Sequence, residues 1–194
     1  MDMISVLPSE PGTRTLGDEA AIVRAAQDDP TAFGVLYHRY LGHVYAYVHA
    51  RTSTADDAAD LTQQIFLQAL DALPRYRERG TFAAWLFRIA HNMVSNFHTR
   101  RRGTVPWDLL PEALHPHAAC DVEDITLRRE TVTKLHALLS ALDPQKREIL
   151  ALRFAAQLPV ADIAAVIGKS KAATEKQLAR TLHLLQEQYD DDTQ

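Results

Sequence analysis

Residues 163–170 read IAAVIGKS, and this is the part of the chain whose local structure is easiest to predict. Its two isoleucines are four residues apart, as on the apolar face of a helix, and Ala164 is small enough for a second helix to cross closely. Gly168 allows the left-handed backbone that ends many helices, and Ser170 can cap the next helix. The pattern predicts a helix-turn-helix, although an ordinary corner between two helices has similar ingredients.

The rest of the chain repeats apolar residues at intervals of three and four, which is typical of amphipathic helices and not of strands. We therefore predict an all-α protein built from two small helical bundles joined by an irregular linker. The predicted divisions are a flexible N-terminal tail over 1–17, a first bundle of four helices over 18–102, a linker over 103–130, a second bundle with the helix-turn-helix over 131–189 and an acidic tail over 190–194.

The apolar repeat also predicts which side of each helix is buried. In the first bundle, Thr81 can cap a helix that ends in an arginine-rich segment, and Pro74 closes the helix before it. The inward side of the helix after Thr81 is predicted to consist of Trp85, Leu86, Ile89, Ala90, Met93, Val94 and Phe97. In the second bundle, Asp143 and Pro144 form a typical helix start, and the buried side of that helix is predicted to be Ile149, Leu150, Leu152 and Phe154.

The charge of the chain is unevenly distributed. The net charge is −4, but residues 75–102 contain seven arginines and one glutamate, giving +6. Such a basic block in an acidic chain favours a polyanionic partner such as nucleic acid, whereas the alternative is an arginine-rich helix face that is merely solvated.

Other features of the composition exclude several protein classes. The single cysteine, Cys120, excludes a disulfide framework and a multi-cysteine zinc site. No run of eighteen apolar residues predicts a transmembrane helix, and the N-terminus does not resemble a secretory signal. We therefore expect a cytoplasmic protein without membrane insertion.

Polar residues follow one side of the arginine-rich helix and the loop before it. The loop alternates arginines with aromatic residues and a glycine, and arginine binds phosphates while an aromatic ring can stack on an unpaired base. The asparagines of the helix can contact base edges, although they lower helix stability in an exposed position. The candidate nucleic-acid-binding residues here are Arg75, Tyr76, Arg77, Arg79, Arg88, His91, Asn92, Ser95, Asn96, Thr99, Arg100 and Arg101.

The second helix of the predicted helix-turn-helix is the other candidate for DNA binding, because the N-terminal residues of such a helix enter the major groove. Its lysines and arginine suit phosphates, Gln177 can contact adenine and Glu175 can accept a hydrogen bond from cytosine. The candidate residues are Ser170, Lys171, Thr174, Glu175, Lys176, Gln177 and Arg180.

Five segments resemble a known family. Residues 56–70, DDAADLTQQIFLQAL, resemble region 2.2 of the extracytoplasmic-function (ECF, group IV) sigma factors, the small members of the sigma-70 family. Residues 74–77, PRYR, and 82–92, FAAWLFRIAHN, resemble regions 2.3 and 2.4. Residues 142–154, LDPQKREILALRF, and 160–164, VADIA, resemble region 4. The segments occur in the order of the family.

The resemblance implies an alternative sigma factor with no catalysis of its own. The first bundle would bind the β′ clamp helices of RNA polymerase through Asp60, Gln63, Gln64 and Gln68, and the candidate residues between 75 and 101 would bind the −10 promoter element and aid its melting. The second bundle would bind the −35 element through the residues between 170 and 180 and would contact the β flap. An anti-sigma factor is a further expected partner.

The chain departs from the family in the second bundle. Glu175 stands where the family usually has more basic residues, Pro159 replaces a small polar cap, and residues 155–157 lack a common glycine. Two other functions remain open: a stand-alone helix-turn-helix regulator and a protein-binding helical adaptor. The discriminating feature is joint exposure of the polar residues between 75 and 96, which the sigma-factor interpretation requires.

No pattern in the sequence predicts an enzyme or a cofactor. There is no glycine-rich phosphate loop, no HExxH motif and no nucleophile with an evident partner. His115, His117 and Cys120 have a spacing that can ligate a metal, but a fourth ligand is not evident, and we expect no metal site.

Overall fold

The computed structural model describes the backbone of residues 16–77, 80–101, 135 and 137–191. The described residues form helices and no strand, which confirms the predicted all-α fold. The long helices are α1 (Leu16–Asp28), α2 (Phe33–His49), α3 (Ala55–Ala72), α4 (Phe82–Arg101), α5 (Pro144–Leu150), α6 (Val160–Ile167) and α7 (Lys171–Asp191). Short 3-10 turns cover Pro30–Ala32 and Leu73–Arg75, a π-helical turn covers Ala151–Ala155, and residues 137–141 are also helical.

Several sequence predictions fall outside this range. The predicted linker, most of both predicted tails and the residues His115, His117 and Cys120 are not among the described residues. The same is true of Arg79 and of the side chain of Arg101.

The predicted helix starts are confirmed by hydrogen bonds from backbone N–H groups to capping side chains. Thr81 Oγ1 accepts from the N–H of Ala84 at 3.1 Å at the start of α4. Asp143 accepts from Gln145 at 2.8 Å before α5, and Ser170 accepts from Ala173 at 3.2 Å before α7. Such caps satisfy N–H groups that have no partner within the helix, and each stabilises a helix by about 1 kcal/mol.

The turn between α6 and α7 is the predicted helix-turn-helix corner. Gly168 has a φ of 69°, in the left-handed region, and the N–H of Lys169 donates to the carbonyl of Ala164 at 3.0 Å. Ile163 and Ala164 are buried, as the sequence pattern predicts. A residue without a Cβ adopts this backbone without strain, which explains the glycine.

The prediction for the segment after α5 is wrong at one residue. Phe154 was expected in the core but is 41% exposed, whereas Arg153 is buried and donates to the carbonyl of Leu158 at 3.0 Å. The cause is the π-helical turn, which is wider than an α-helical turn and rotates the following side chains away from the 3.6-residue pattern. The turn ends near Gln157, whose φ of 56° is unusual for a residue with a Cβ.

The buried side of α4 also differs from the prediction. Leu86, Phe87 and Ala90 are fully buried, and the Phe87 ring meets that of Tyr47 edge to face with centroids 5.7 Å apart. The residues Trp85, Ile89, Met93 and Phe97 are only half-buried and pack around the rim of this core. The interior of the first bundle is therefore centred on Phe87 and not on Trp85.

The two bundles share one hydrophobic core. The buried apolar residues of α2, α3 and α4 are continuous with those of α5, α6 and α7, and α4 packs directly against α6. This arrangement places the first helix of the helix-turn-helix beside the arginine-rich helix of the first bundle.

Candidate nucleic-acid interface

The polar residues of α4 form one exposed flank. Arg88, Asn92, Asn96 and Thr99 are exposed, and their spacing of three or four residues places them on the same side of the helix. Ser95 is half-buried, and its carbonyl accepts from Thr99 Oγ1 at 2.9 Å. Arg100 continues the exposed flank. Among the described side chains, this side of α4 presents the amides of Asn92 and Asn96 and the guanidinium groups of Arg88 and Arg100 to solvent, opposite the core.

His91 does not lie on this flank, which corrects the sequence prediction. Its ring is half-buried, and Nδ1 lies 2.8 Å from Oε1 of Glu148 on α5. Burial, together with the positive charge of Arg51, lowers the pKa of His91, so the neutral ring donates its Nδ1–H to the carboxylate. The sequence pattern missed this contact because Glu148 is 57 residues away.

The loop before α4 carries two exposed arginines beside an aromatic cluster. Arg75 and Arg77 are exposed, while Tyr76 is half-buried with its ring centroid 4.9 Å from that of Trp85. Gln27 of α1 holds the loop in place, since its side-chain amide donates to the carbonyls of Leu73 at 3.0 Å and Tyr76 at 2.9 Å. Sequence reasoning missed Gln27, whose role depends on a contact across 46 to 49 residues.

Trp85 extends the polar flank at its N-terminal end. It precedes Arg88 by three residues and Asn92 by seven, so it lies on the same side of α4. Its ring is half-buried against Tyr76 and Phe82, with centroids 4.9 and 5.3 Å apart. A rim position gives this aromatic ring an accessible part next to the arginine and the amides.

The N-terminal half of α7 presents a second group of polar residues. Ser170, Lys171, Glu175, Lys176 and Arg180 are exposed, and Lys171 Nζ lies 3.6 Å from Glu175 Oε1. This pair offsets the negative charge that would oppose a phosphate backbone.

Two other residues predicted on this face differ from that group. Gln177 is half-buried and accepts from Lys169 Nζ at 2.8 Å. Thr174 is fully buried and donates to the carbonyl of Ser170 at 3.0 Å. Thr174 therefore packs into the core and does not face solvent, which corrects its prediction as a DNA-contacting residue.

A third surface lies on α3. Asp60, Gln63, Gln64 and Gln68 are all exposed, and so is Leu67, with 63% of its surface accessible. Residues 60, 63, 64, 67 and 68 share one helix side at intervals of three and four, with Leu67 near the middle. Sequence reasoning selected only the polar members of this set, although a leucine on a largely polar helix face was a usable signal.

Metal and membrane features are not found in the described part of the chain. No cluster of three or more histidine, cysteine, aspartate or glutamate side chains capable of holding a metal occurs among the residues that the structure describes. Nor does any helix in the described ranges have the length and apolar character needed to cross a bilayer.

Comparison with known proteins identifies the family. The Sigma-70 region 2 family matches residues 36–104, and the Sigma-70, region 4 family matches residues 133–185. The ECF RNA polymerase sigma factor SigD of Mycobacterium tuberculosis H37Rv is 30% identical over 177 residues, covering 88% of this chain and 82% of SigD. The chain belongs to the ECF sigma factors of the sigma-70 family. The RNA polymerase sigma-H factor of Pseudomonas aeruginosa is similarly related, with 32% identity over 77% of this chain and 82% of that protein.

Two solved structures have the same fold. CnrH, solved with the cytosolic domain of CnrY, superposes with a TM-score of 0.64 at 24% identity and covers 90% of this chain and 98% of CnrH. RpoE of Bartonella quintana, solved with the anti-sigma factor NepR, gives a TM-score of 0.61 at 24% identity over 81% and 96% of the two chains. As an ECF sigma factor, the protein is an alternative sigma factor that directs transcription initiation. This membership favours the sigma-factor interpretation over a stand-alone regulator or an adaptor.

Proposed function

We propose that this sigma factor belongs to group IV, acts in the cytoplasm where polymerase and promoters meet, and binds the −10 element through the exposed flank of α4 and the loop before it. The observation that carries the proposal is the joint exposure of Arg75, Arg77, Arg88, Asn92 and Asn96 beside an aromatic cluster. A solvated arginine-rich helix would not require amides and aromatic rings in the same place.

The proposed −10 surface suits a melted strand better than a duplex. Extruding a base from a duplex costs a few kcal/mol, and stacking on an aromatic ring with arginine contacts to phosphates offsets that cost. Tyr76 and Trp85 offer ring surface at the edge of the flank, and Asn92 and Asn96 offer amides to base edges. Arg79 and Arg101 remain part of the proposal, although the structure does not describe their side chains. His91 can contribute only if its ring leaves Glu148.

We assign the −35 element to the N-terminal half of α7. Lys171, Lys176 and Arg180 are exposed and are proposed to contact phosphates, and Ser170 lies at the helix N-terminus, where the macrodipole also favours an anion. Glu175 and Gln177 are the candidates for base contacts, the first held near Lys171 and the second near Lys169. The same bundle is proposed to contact the β flap of the polymerase.

We assign the α3 surface to the β′ clamp helices of the polymerase. It consists of Asp60, Gln63, Gln64 and Gln68 around Leu67, an exposed leucine with polar neighbours. A central apolar side chain surrounded by a polar rim is the usual anatomy of a protein interface.

The remaining assignments concern organisation and partners. We retain the proposed divisions at 1–17, 18–102, 103–130, 131–189 and 190–194. An anti-sigma factor is a proposed partner, because RpoE of Bartonella quintana, a sigma factor of this fold, has been solved bound to the anti-sigma factor NepR. No catalytic activity or cofactor is proposed.

The test is transcription in vitro with core polymerase and a promoter library. Arg88→Ala and Asn92→Ala are expected to abolish promoter opening while leaving the affinity for core polymerase unchanged, because both residues lie on α4 and not on the α3 surface. Gln186→Ala, which removes an amide near the end of α7, is the matched control and is expected to behave as the unchanged protein. Loss of polymerase binding in both α4 variants, or full opening by both, would contradict the assignment.

A further inference from the structure

A buried carboxylate connects the two bundles. Glu148 of α5 is 5% exposed, and its side chain reaches into the first bundle. There, Oε1 accepts from the Tyr47 hydroxyl at 2.6 Å and from His91 Nδ1 at 2.8 Å, while Oε2 accepts from the Arg51 guanidinium. All three donors belong to α2, its C-terminal end or α4, and all are at least 57 residues from Glu148 in sequence.

These hydrogen bonds alone make separation of the two bundles unfavourable. Arg51 is largely buried and Tyr47 is fully buried, so withdrawal of Glu148 would leave a buried cation and a buried hydroxyl without their acceptor. A buried ion pair that loses one partner is strongly destabilised even where the intact pair contributes little. The contact therefore acts as a specific lock on the relative position of the bundles, in addition to the apolar packing of α4 on α6.

The locked arrangement is too small to reach both promoter elements. A compact chain of 194 residues has a radius of gyration of about 16 Å, whereas elements named −35 and −10 lie about 25 base pairs apart, or roughly 85 Å of straight duplex. One rigid body of this size cannot place α7 on the first element and α4 on the second at the same time. Function on a promoter therefore requires the bundles to separate.

We propose that Glu148, held by Tyr47, Arg51 and His91, is an autoinhibitory latch that keeps the unbound sigma factor closed and that must be released before both promoter elements are engaged. The inference rests on the proposed function, because the bundles need to separate only if the protein binds both promoter elements. It assigns a regulatory role to four residues, of which only His91 is also proposed to reach DNA. In the closed form, His91 is held away from the −10 surface by the same carboxylate.

The principal experiment compares the full-length chain with Glu148→Gln in the absence of polymerase and DNA. Small-angle X-ray scattering is expected to show a radius of gyration larger by more than a tenth in the variant, and calorimetry is expected to resolve two unfolding transitions where the unchanged chain has one. The matched control is Glu187→Gln, which removes an exposed carboxylate of α7 that lies 3.7 Å from His183 on its own helix. The control is expected to match the unchanged chain in both measurements.

A second variant keeps the test decisive if Glu148→Gln does not fold. Tyr47→Phe removes one hydroxyl, preserves the ring that packs on Phe87 and is expected to change both readouts in the same direction by a smaller amount. The double variant is expected to show less than the sum of the two effects, because both act on one contact. Unchanged scattering and a single transition in every folded latch variant, or the same opening in Glu187→Gln, would overturn the latch.

Polymerase binding gives an independent readout. If only the open form binds core polymerase fully, the apparent dissociation constant of the unchanged protein equals that of the open form divided by the fraction of molecules that are open. Because Glu148→Gln raises the open fraction, this variant is expected to bind core polymerase at least fivefold more tightly than the unchanged protein. Equal or weaker binding by an opened variant would overturn the inhibitory role of the latch. Failure of the unchanged protein to support transcription would instead overturn the proposed function. The scattering experiment uses neither polymerase nor DNA, so it would still decide whether Glu148 keeps the two bundles together.

Discussion

Replacing Leu67 with alanine tests whether the α3 surface binds polymerase. The side chain is 63% exposed, and complete burial of a leucine is worth about 1.5–3 kcal/mol. Covering the exposed part on binding therefore contributes about 1–2 kcal/mol, so the loss of most of this side chain should weaken binding to core polymerase by about 5- to 30-fold. Because Leu67 contributes little to the core, the free energy of unfolding should change by less than about 0.5 kcal/mol.

The assay is the dissociation constant for core polymerase, measured by fluorescence anisotropy on labelled sigma factor. Val35 supplies the matched control, since it is also apolar and 51% exposed, but lies on α2. The rings of Phe33 and Tyr37 contact Phe66 of α3. Val35 is two residues from each of them, which places it on the opposite side of α2, so its side chain points away from α3. A Leu67→Ala affinity within twofold of the unchanged protein, or an equal loss for Val35→Ala, would refute the assignment of this surface.

Three further predictions concern stability. Gln157→Gly should raise the free energy of unfolding by about 0.5–1 kcal/mol, because φ at this residue is 56°; urea unfolding measures this, and a decrease would contradict it. Thr54→Ala should lower it by about 1 kcal/mol, since Thr54 Oγ1 accepts from the N–H of Asp57 at 3.1 Å; thermal unfolding with no change would count against the cap. Burial lowers the pKa of His49 below its ordinary value of 6.5. As the pH falls, the unfolded chain therefore binds a proton at this residue before the folded chain does. The free energy of unfolding is consequently highest above about pH 6.5 and decreases as the pH falls below that value. His49→Phe should reduce this decline between about pH 7 and 5.5, and an equally steep decline in urea unfolding would argue against a neutral buried ring.

Local features of the fold were predictable because neighbouring residues determine them. Thr81, Asp143 and Ser170 cap helices within three residues of themselves, and Gly168 ends α6 through its own backbone freedom. The apolar repeat also located the helices, although it chose the wrong centre for the core of α4. Trp85 and Phe87 are both aromatic, and the one that is buried, Phe87, is the one that packs against Tyr47 of α2, a contact that the sequence of α4 does not contain.

Two of the wrong predictions, those for His91 and Phe154, depend on distant or irregular structure, whereas the third, for Thr174, has a local cause. His91 fits the polar repeat of α4, but a carboxylate from the second bundle holds it away from that flank. Phe154 fits the apolar repeat, but a π-helical turn moves it to the surface. Thr174 looks like a polar surface residue, yet its hydroxyl is satisfied by the carbonyl of Ser170, so burial costs little.

Permanganate footprinting of a promoter with core polymerase tests the central claim most directly, because permanganate oxidises unpaired thymines. With the sigma factor present, thymines in the −10 element are expected to become reactive, and with Asn92→Ala they are expected to remain protected at saturating sigma factor. Equal reactivity with and without the sigma factor, or full reactivity with Asn92→Ala, would contradict promoter melting by the exposed flank of α4.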